Sequence, residues 1–148
     1  VRRAAWLVPL ALAGCASLDP HVEEAKRLVR GDEPVIVGTL EGGVWLVEDV
    51  NGGGVIDNAR LDASFAEGKV AGKSGCNRYN GGWQQDGATI KIGPLMSTRM
   101  ACAPALMTLE QKFLSALEAA TTVSFDATGA AFLKTPDGRL LRLRREPA

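Results

Sequence analysis

From about Thr39 onward, apolar and polar residues alternate with a period of two. Leu61, Ala63 and Phe65 alternate with Asp62 and Ser64, Ala88, Ile90 and Ile92 with Thr89 and Lys91, and Leu141 and Leu143 with Arg142 and Arg144. On a pleated strand this rhythm gathers the apolar side chains on one face, which predicts half-buried antiparallel strands. Glu67-Gly68, Asp86-Gly87, Thr128-Gly129 and Asp137-Gly138 fall between these runs, where glycine supplies the positive φ of tight hairpins. One segment keeps a different period: Pro104 to Ala120 carries Leu106, Leu109, Phe113 and Leu117 at helical spacing, with Thr108 and Gln111 as a capping box. The expected fold is α+β, a mostly antiparallel β meander forming a curved sheet or partly closed barrel, with one helix packed on it.

The N-terminal residues follow another grammar. Arg2 and Arg3 precede an apolar run from Ala4 to Leu12, followed by Ala13, Gly14 and Cys15, the charged, apolar and cleavage regions of an export signal. The run is interrupted by Pro9 and falls short of the roughly 18–20 apolar residues that span a bilayer. Leu12-Ala13-Gly14-Cys15 resembles the lipobox of bacterial lipoproteins. That resemblance implies a signal peptide over 1–14, cleavage before Cys15, and fatty acylation (palmitate) of Cys15. Several acyl chains would hold the mature chain firmly to a lipid bilayer. Ala16, where Asp would favour the inner membrane, implies the periplasmic face of the outer membrane. Residues 15–39 then read as a lipid-anchored tether with a short helix opened by Asp19 and Pro20 and closed by Gly31. His21, the single histidine, lies in this spacer and receives no role.

Charge and composition narrow the function. With 17 Lys+Arg against 17 Asp+Glu in 148 residues, the chain lacks the basic excess of a nucleic-acid binder. Loss of residues 1–14 removes Arg2 and Arg3 and leaves 148 − 14 = 134 residues, with 15 basic and 17 acidic groups, a charge of −2. If Cys15 carries lipid, Cys76 and Cys102 remain as an even pair in an oxidising compartment, which reads as a disulfide rather than two reduced, buried thiols. Twenty-five residues separate them, unlike the Cys-x-x-Cys of a redox helix start. Asn51-Gly52-Gly53-Gly54 lacks the Lys-Ser/Thr of a phosphate loop and reads as a flexible hairpin end. Neither a metal site nor a cofactor is expected, and no nucleophile–base pair presents itself.

Gly75-Cys76-Asn77-Arg78-Tyr79-Asn80-Gly81, followed by Thr98-Arg99-Met100-Ala101-Cys102 and then Glu110, resembles the META domain family, also called HslJ-like. Trp45-Leu46 resembles the Trp-x-Leu that opens that domain, and the resemblance covers 40–146. It implies a small β-rich domain, often exported or lipid-anchored, linked to envelope stress and without an established catalytic activity. Read physically, Gly75 and Gly81 bracket a sharp turn in which Asn77 bonds its own neighbouring backbone, with Tyr79 as an aromatic anchor. Arg99 and Glu110 are expected to form a structural ion pair, the alternative being an outward Arg99 that receives an anion. Asn77, Arg78, Tyr79, Asn80 and Arg99 are the candidate binding residues. The expectation is a non-enzymatic envelope lipoprotein that binds a protein, peptide or small ligand in stress tolerance. The alternatives are an inhibitor of an exported hydrolase and a thiol redox enzyme using Cys76 and Cys102.

Overall fold

The computed structural model describes Ile36 and residues 38–148. The signal peptide, Cys15, His21 and the tether helix lie outside the described residues. The described chain runs β1 (Val44–Val50), β2 (Asp62–Ala66), β3 (Lys69–Lys73), β4 (Arg78–Asp86), β5 (Thr89–Ser97), α1 (Pro104–Ala119), β6 (Thr122–Phe125), β7 (Ala131–Lys134) and β8 (Leu140–Arg145). Each strand pairs antiparallel with the next, and β8 returns to β1, from Trp45↔Arg145 to Val50↔Leu141, closing the barrel. The fold is therefore α+β, an eight-stranded closed antiparallel barrel with a single helix among the described residues packed on it.

The alternating pattern carries through to burial. Leu61, Ala63 and Phe65, Ile90 and Ile92, and Leu141 and Leu143 all turn into the barrel, whose interior also holds Trp45, Val70, Tyr79 and Leu133. Ala88 is exposed instead, because it sits in the turn between β4 and β5. Closure prevents exposed strand edges, except where β5 meets β6 at the single pair Thr89↔Thr122. The chain inserts α1 at that seam, and Glu118 accepts a hydrogen bond from the Leu95 amide at 3.1 Å, supplying a side-chain partner where no strand does.

The helix starts a turn earlier than a capping box would place it. Pro104 occupies the first turn, where its missing N–H costs nothing. Thr108 thus falls inside the helix, and its hydroxyl donates back to the Pro104 carbonyl at 3.0 Å rather than capping. Leu109, Glu110, Phe113, Ala116 and Leu117 form its buried stripe, with Phe113 edge-on to Tyr79 at 5.6 Å between ring centroids. Ahead of β1, Gln85 holds the chain to the barrel by accepting from the Leu40 amide and donating to the Gly38 carbonyl.

Candidate functional site

The motif of residues 75–81 divides between a hairpin connection and a strand. Arg78 to Gly81 belong to β4, so Gly81 does not close a turn. It stands where β5 crosses closely at an irregular register: an added Cβ would meet Leu95 Cδ2 and the Pro94 carbonyl, both at 2.7 Å. Gly75 and Cys76 form the tip between β3 and β4, with Ser74 donating from its backbone to the Asn77 carbonyl at 2.9 Å. The Asn77 amide makes its bond elsewhere, donating to Glu110 Oε2 at 2.7 Å.

Glu110 is thereby the acceptor around which the motif is built. Its side chain, 5% exposed, also accepts from Ser74 Oγ at 2.6 Å and from Asn77 Nδ2 at 2.6 Å. Burial pushes its carboxyl pKa up, but the bonds from Ser74 and Asn77 outweigh that and hold it below its ordinary value. The rest of the Asn77 amide imitates a peptide group: Oδ1 accepts from the Met100 amide at 2.7 Å and from Thr98 Oγ1 at 2.9 Å, and Nδ2 reaches the Met100 carbonyl at 3.3 Å. Asn77 thus bonds residues far along the chain instead of its own neighbours.

The expected Arg99–Glu110 ion pair does not form. The Glu110 oxygens are taken by Ser74 and Asn77, and among the described residues Arg99 has no carboxylate within ion-pair distance and is exposed. Neutral donors from the β3–β4 connection reach Glu110 from inside, a position that exposed Arg99 does not share. Cys76 and Cys102 are joined in a disulfide, with Cα atoms 6.0 Å apart, that links this connection to the segment entering α1.

Tyr79 is buried and directed inward, its hydroxyl donating to the Asp62 carbonyl at 2.8 Å. Burial, assisted by the Asp62 charge, raises its pKa and keeps the phenol neutral. It passes its cross-strand partner Gly72, where an added Cβ would lie 2.1 Å from the Asp62 carbonyl oxygen. Any side chain there would separate β2 from β3. Sequence reasoning missed this Asp62–Gly72–Tyr79 crossing; its only local signal was a glycine inside an alternating run.

Arg78, Asn80 and Arg99 remain exposed. Next to Arg99, a cavity of about 410 Å³ opens between the segment after β5 and α1, with Met100, Met107, Gln111 and Leu114 in its walls and Asn77 and Glu110 in its lining. Met96 and Met100 are 67% and 57% exposed. On the other side of Arg78, a depression of about 540 Å³ lies over β2, β3 and β4. Among the described residues, no group of three or more His, Cys, Asp or Glu side chains is placed to hold a metal ion. The amides of Asn51-Gly52-Gly53-Gly54 are likewise partly occupied from within: Asp49 accepts from Gly52 and Gly54, each at 2.7 Å.

With the barrel, the helix and the motif contacts in place, comparison with known proteins gives a match to the model of the META domain over residues 38–148. The chain belongs to the META domain family. Its META domain is similar to an NMR structure of a protein from Burkholderia xenovorans, at 24% identity and a TM-score of 0.60, over 74% of this chain and 85% of that one. It is also similar to a second protein solved by NMR, at 28% identity and a TM-score of 0.56, over 70% of this chain and 89% of the other. The first likeness is one of fold alone. No curated protein matches the chain. Within the META domain, the signature residues thus have two kinds of position: Asn77, Tyr79 and Glu110 are buried partners, whereas Arg78, Asn80 and Arg99 face solvent.

Proposed function

We propose that this protein is a non-enzymatic envelope lipoprotein whose META domain binds a protein, peptide or small ligand and supports envelope stress tolerance. The observation that carries the reading is the division of the motif. Asn77 and Glu110 spend their polar groups on internal bonds, while Arg78, Asn80 and Arg99 are presented on a frame stapled by the Cys76–Cys102 disulfide. Exposed polar groups on a preorganised frame lose little conformational freedom on binding, which favours recognition. The anchoring rests on Leu12-Ala13-Gly14-Cys15.

Two measurements test this. Cys15→Ser should abolish incorporation of labelled palmitate and shift the protein out of the membrane fraction; undiminished labelling would overturn the lipoprotein assignment. Affinity capture from envelope extracts with the full chain should yield a partner or ligand that Arg99→Ala loses while its melting curve stays unchanged. Identical capture by the two proteins would remove Arg99 from the binding surface.

A further inference from the structure

The outer face of β3 and β4 carries an arrangement that the fold does not need. Lys73 and Arg78 are direct cross-strand partners at the end of the β3–β4 pair. Both are exposed, and among the described residues neither has a carboxylate within ion-pair distance. Like charges placed opposite one another destabilise a sheet, so this pair costs stability in the unliganded domain.

The surroundings leave space for an anion. Lys73 and Arg78 line the depression of about 540 Å³ together with Arg60, against one lining carboxylate, Asp62. That carboxylate is already engaged, accepting from Arg60 Nε at 2.6 Å and from the Lys73 backbone amide at 2.8 Å. Arg60 also holds Glu146, at 2.9 Å, so Lys73 and Arg78 are the cations left with unused donors. Asn80 adds an amide to the rim.

We propose that this depression is an oxyanion site for a phosphate-type group, held between Lys73 and Arg78. The inference rests on the reading of the domain as a binding module and names the ligand chemistry. A carboxylate has two oxygens, which one guanidinium fork can take up. A tetrahedral phosphate offers that fork two oxygens and still turns others towards the Lys73 ammonium, with more charge to offset the two cations. The group can belong to free phosphate or to a monoester headgroup such as that of phosphatidic acid; a phosphodiester headgroup, with two free oxygens and one charge, gains nothing over a carboxylate here.

The test uses the full chain and two probes, inorganic phosphate in solution and vesicles of phosphatidic acid in phosphatidylcholine. Phosphate should shift the amide resonances of Gly72, Lys73 and Arg78. Lys73→Gln and Arg78→Gln should each weaken binding roughly fivefold or more, and the exposed helix variant Lys112→Gln should leave it unchanged. At low salt, each of the two site variants should melt higher than wild type, and added phosphate should raise only the wild-type melting temperature. Saturation in solution assigns free phosphate. Retention on the phosphatidic acid vesicles beyond that on pure phosphatidylcholine, to which the acylated Cys15 contributes equally in wild type and variants, and lost in Lys73→Gln and Arg78→Gln, assigns the headgroup. Silence with both probes, or equal binding by wild type, Lys73→Gln and Arg78→Gln, overturns the site. Such silence alongside Arg99-dependent capture leaves the binding reading standing; silence in both experiments removes both.

Discussion

At the scale of single residues, Glu110 shows how a buried charge is made tolerable in a small barrel. Three donors, Ser74 Oγ, the Asn77 amide and Asn77 Nδ2, meet its two oxygens, and charge-assisted bonds of this kind are stronger than neutral ones. Glu110→Ala strands those donors, so it should destabilise the domain by about 3 kcal/mol. Asn77→Ala should couple with it, the double variant falling short of the sum by about 0.5–3 kcal/mol. Arg99→Ala should stay within about 0.5 kcal/mol of wild type, as for a surface residue without partners. Urea unfolding of the four variants checks all three expectations. The pH dependence follows from the same bonds: the folded-state pKa of Glu110 lies below its ordinary value near 4.5. Its carboxylate therefore contributes stability that is fully present above that value and lost as pH falls through the folded pKa. The stability gap between wild type and Glu110→Gln should be constant near neutrality and narrow below about pH 4.5.

At the scale of elements, the junction of the β3–β4 connection with α1 is held twice. The disulfide joins Cys76 to Cys102 across 26 positions, and the Asn77–Glu110 contacts tie the same two regions without covalent bonds. Cross-linking a loop of that length stabilises by about 3.5 kcal/mol in the chain-entropy account. Replacing both cysteines by alanine should therefore lower stability by roughly 2–4 kcal/mol. The polar contacts should keep the variant folded, with amide spectra changed mainly near residues 74–78 and 98–106. Loss of the folded spectrum would show that the hydrogen bonds depend on the cross-link.

At the scale of the whole molecule, barrel and helix share one core. Phe113 is completely buried, against Tyr79 on β4, so α1 cannot leave without opening the interior. Phe113→Ala should cost about 3–5 kcal/mol. Helical circular dichroism and tryptophan fluorescence should still report one coincident transition. Two separated transitions would mean that the helix is an appendage on an independently stable barrel.

The strand faces, the position of the helix and the membership of the motif were legible along the chain, because these depend on periodicity and on local residue order. Leu61, Ala63, Phe65, Leu141 and Leu143 were legible as core because their neighbours in the chain were polar. The even pairing of Cys76 with Cys102 was legible for a similar reason: once Cys15 was set aside, no other cysteine remained. Closure of the barrel, the crossing of Tyr79 over Gly72 to Asp62, and the choice of Asn77 over Arg99 as partner of Glu110 were decided only in three dimensions. Opposite charge makes Arg99 and Glu110 look like a pair along the chain, but burial selects partners by reach and direction. The β3–β4 connection delivers Ser74 and Asn77 to that carboxylate while Arg99 stays in solvent, and a neutral donor already inside carries no charge to desolvate.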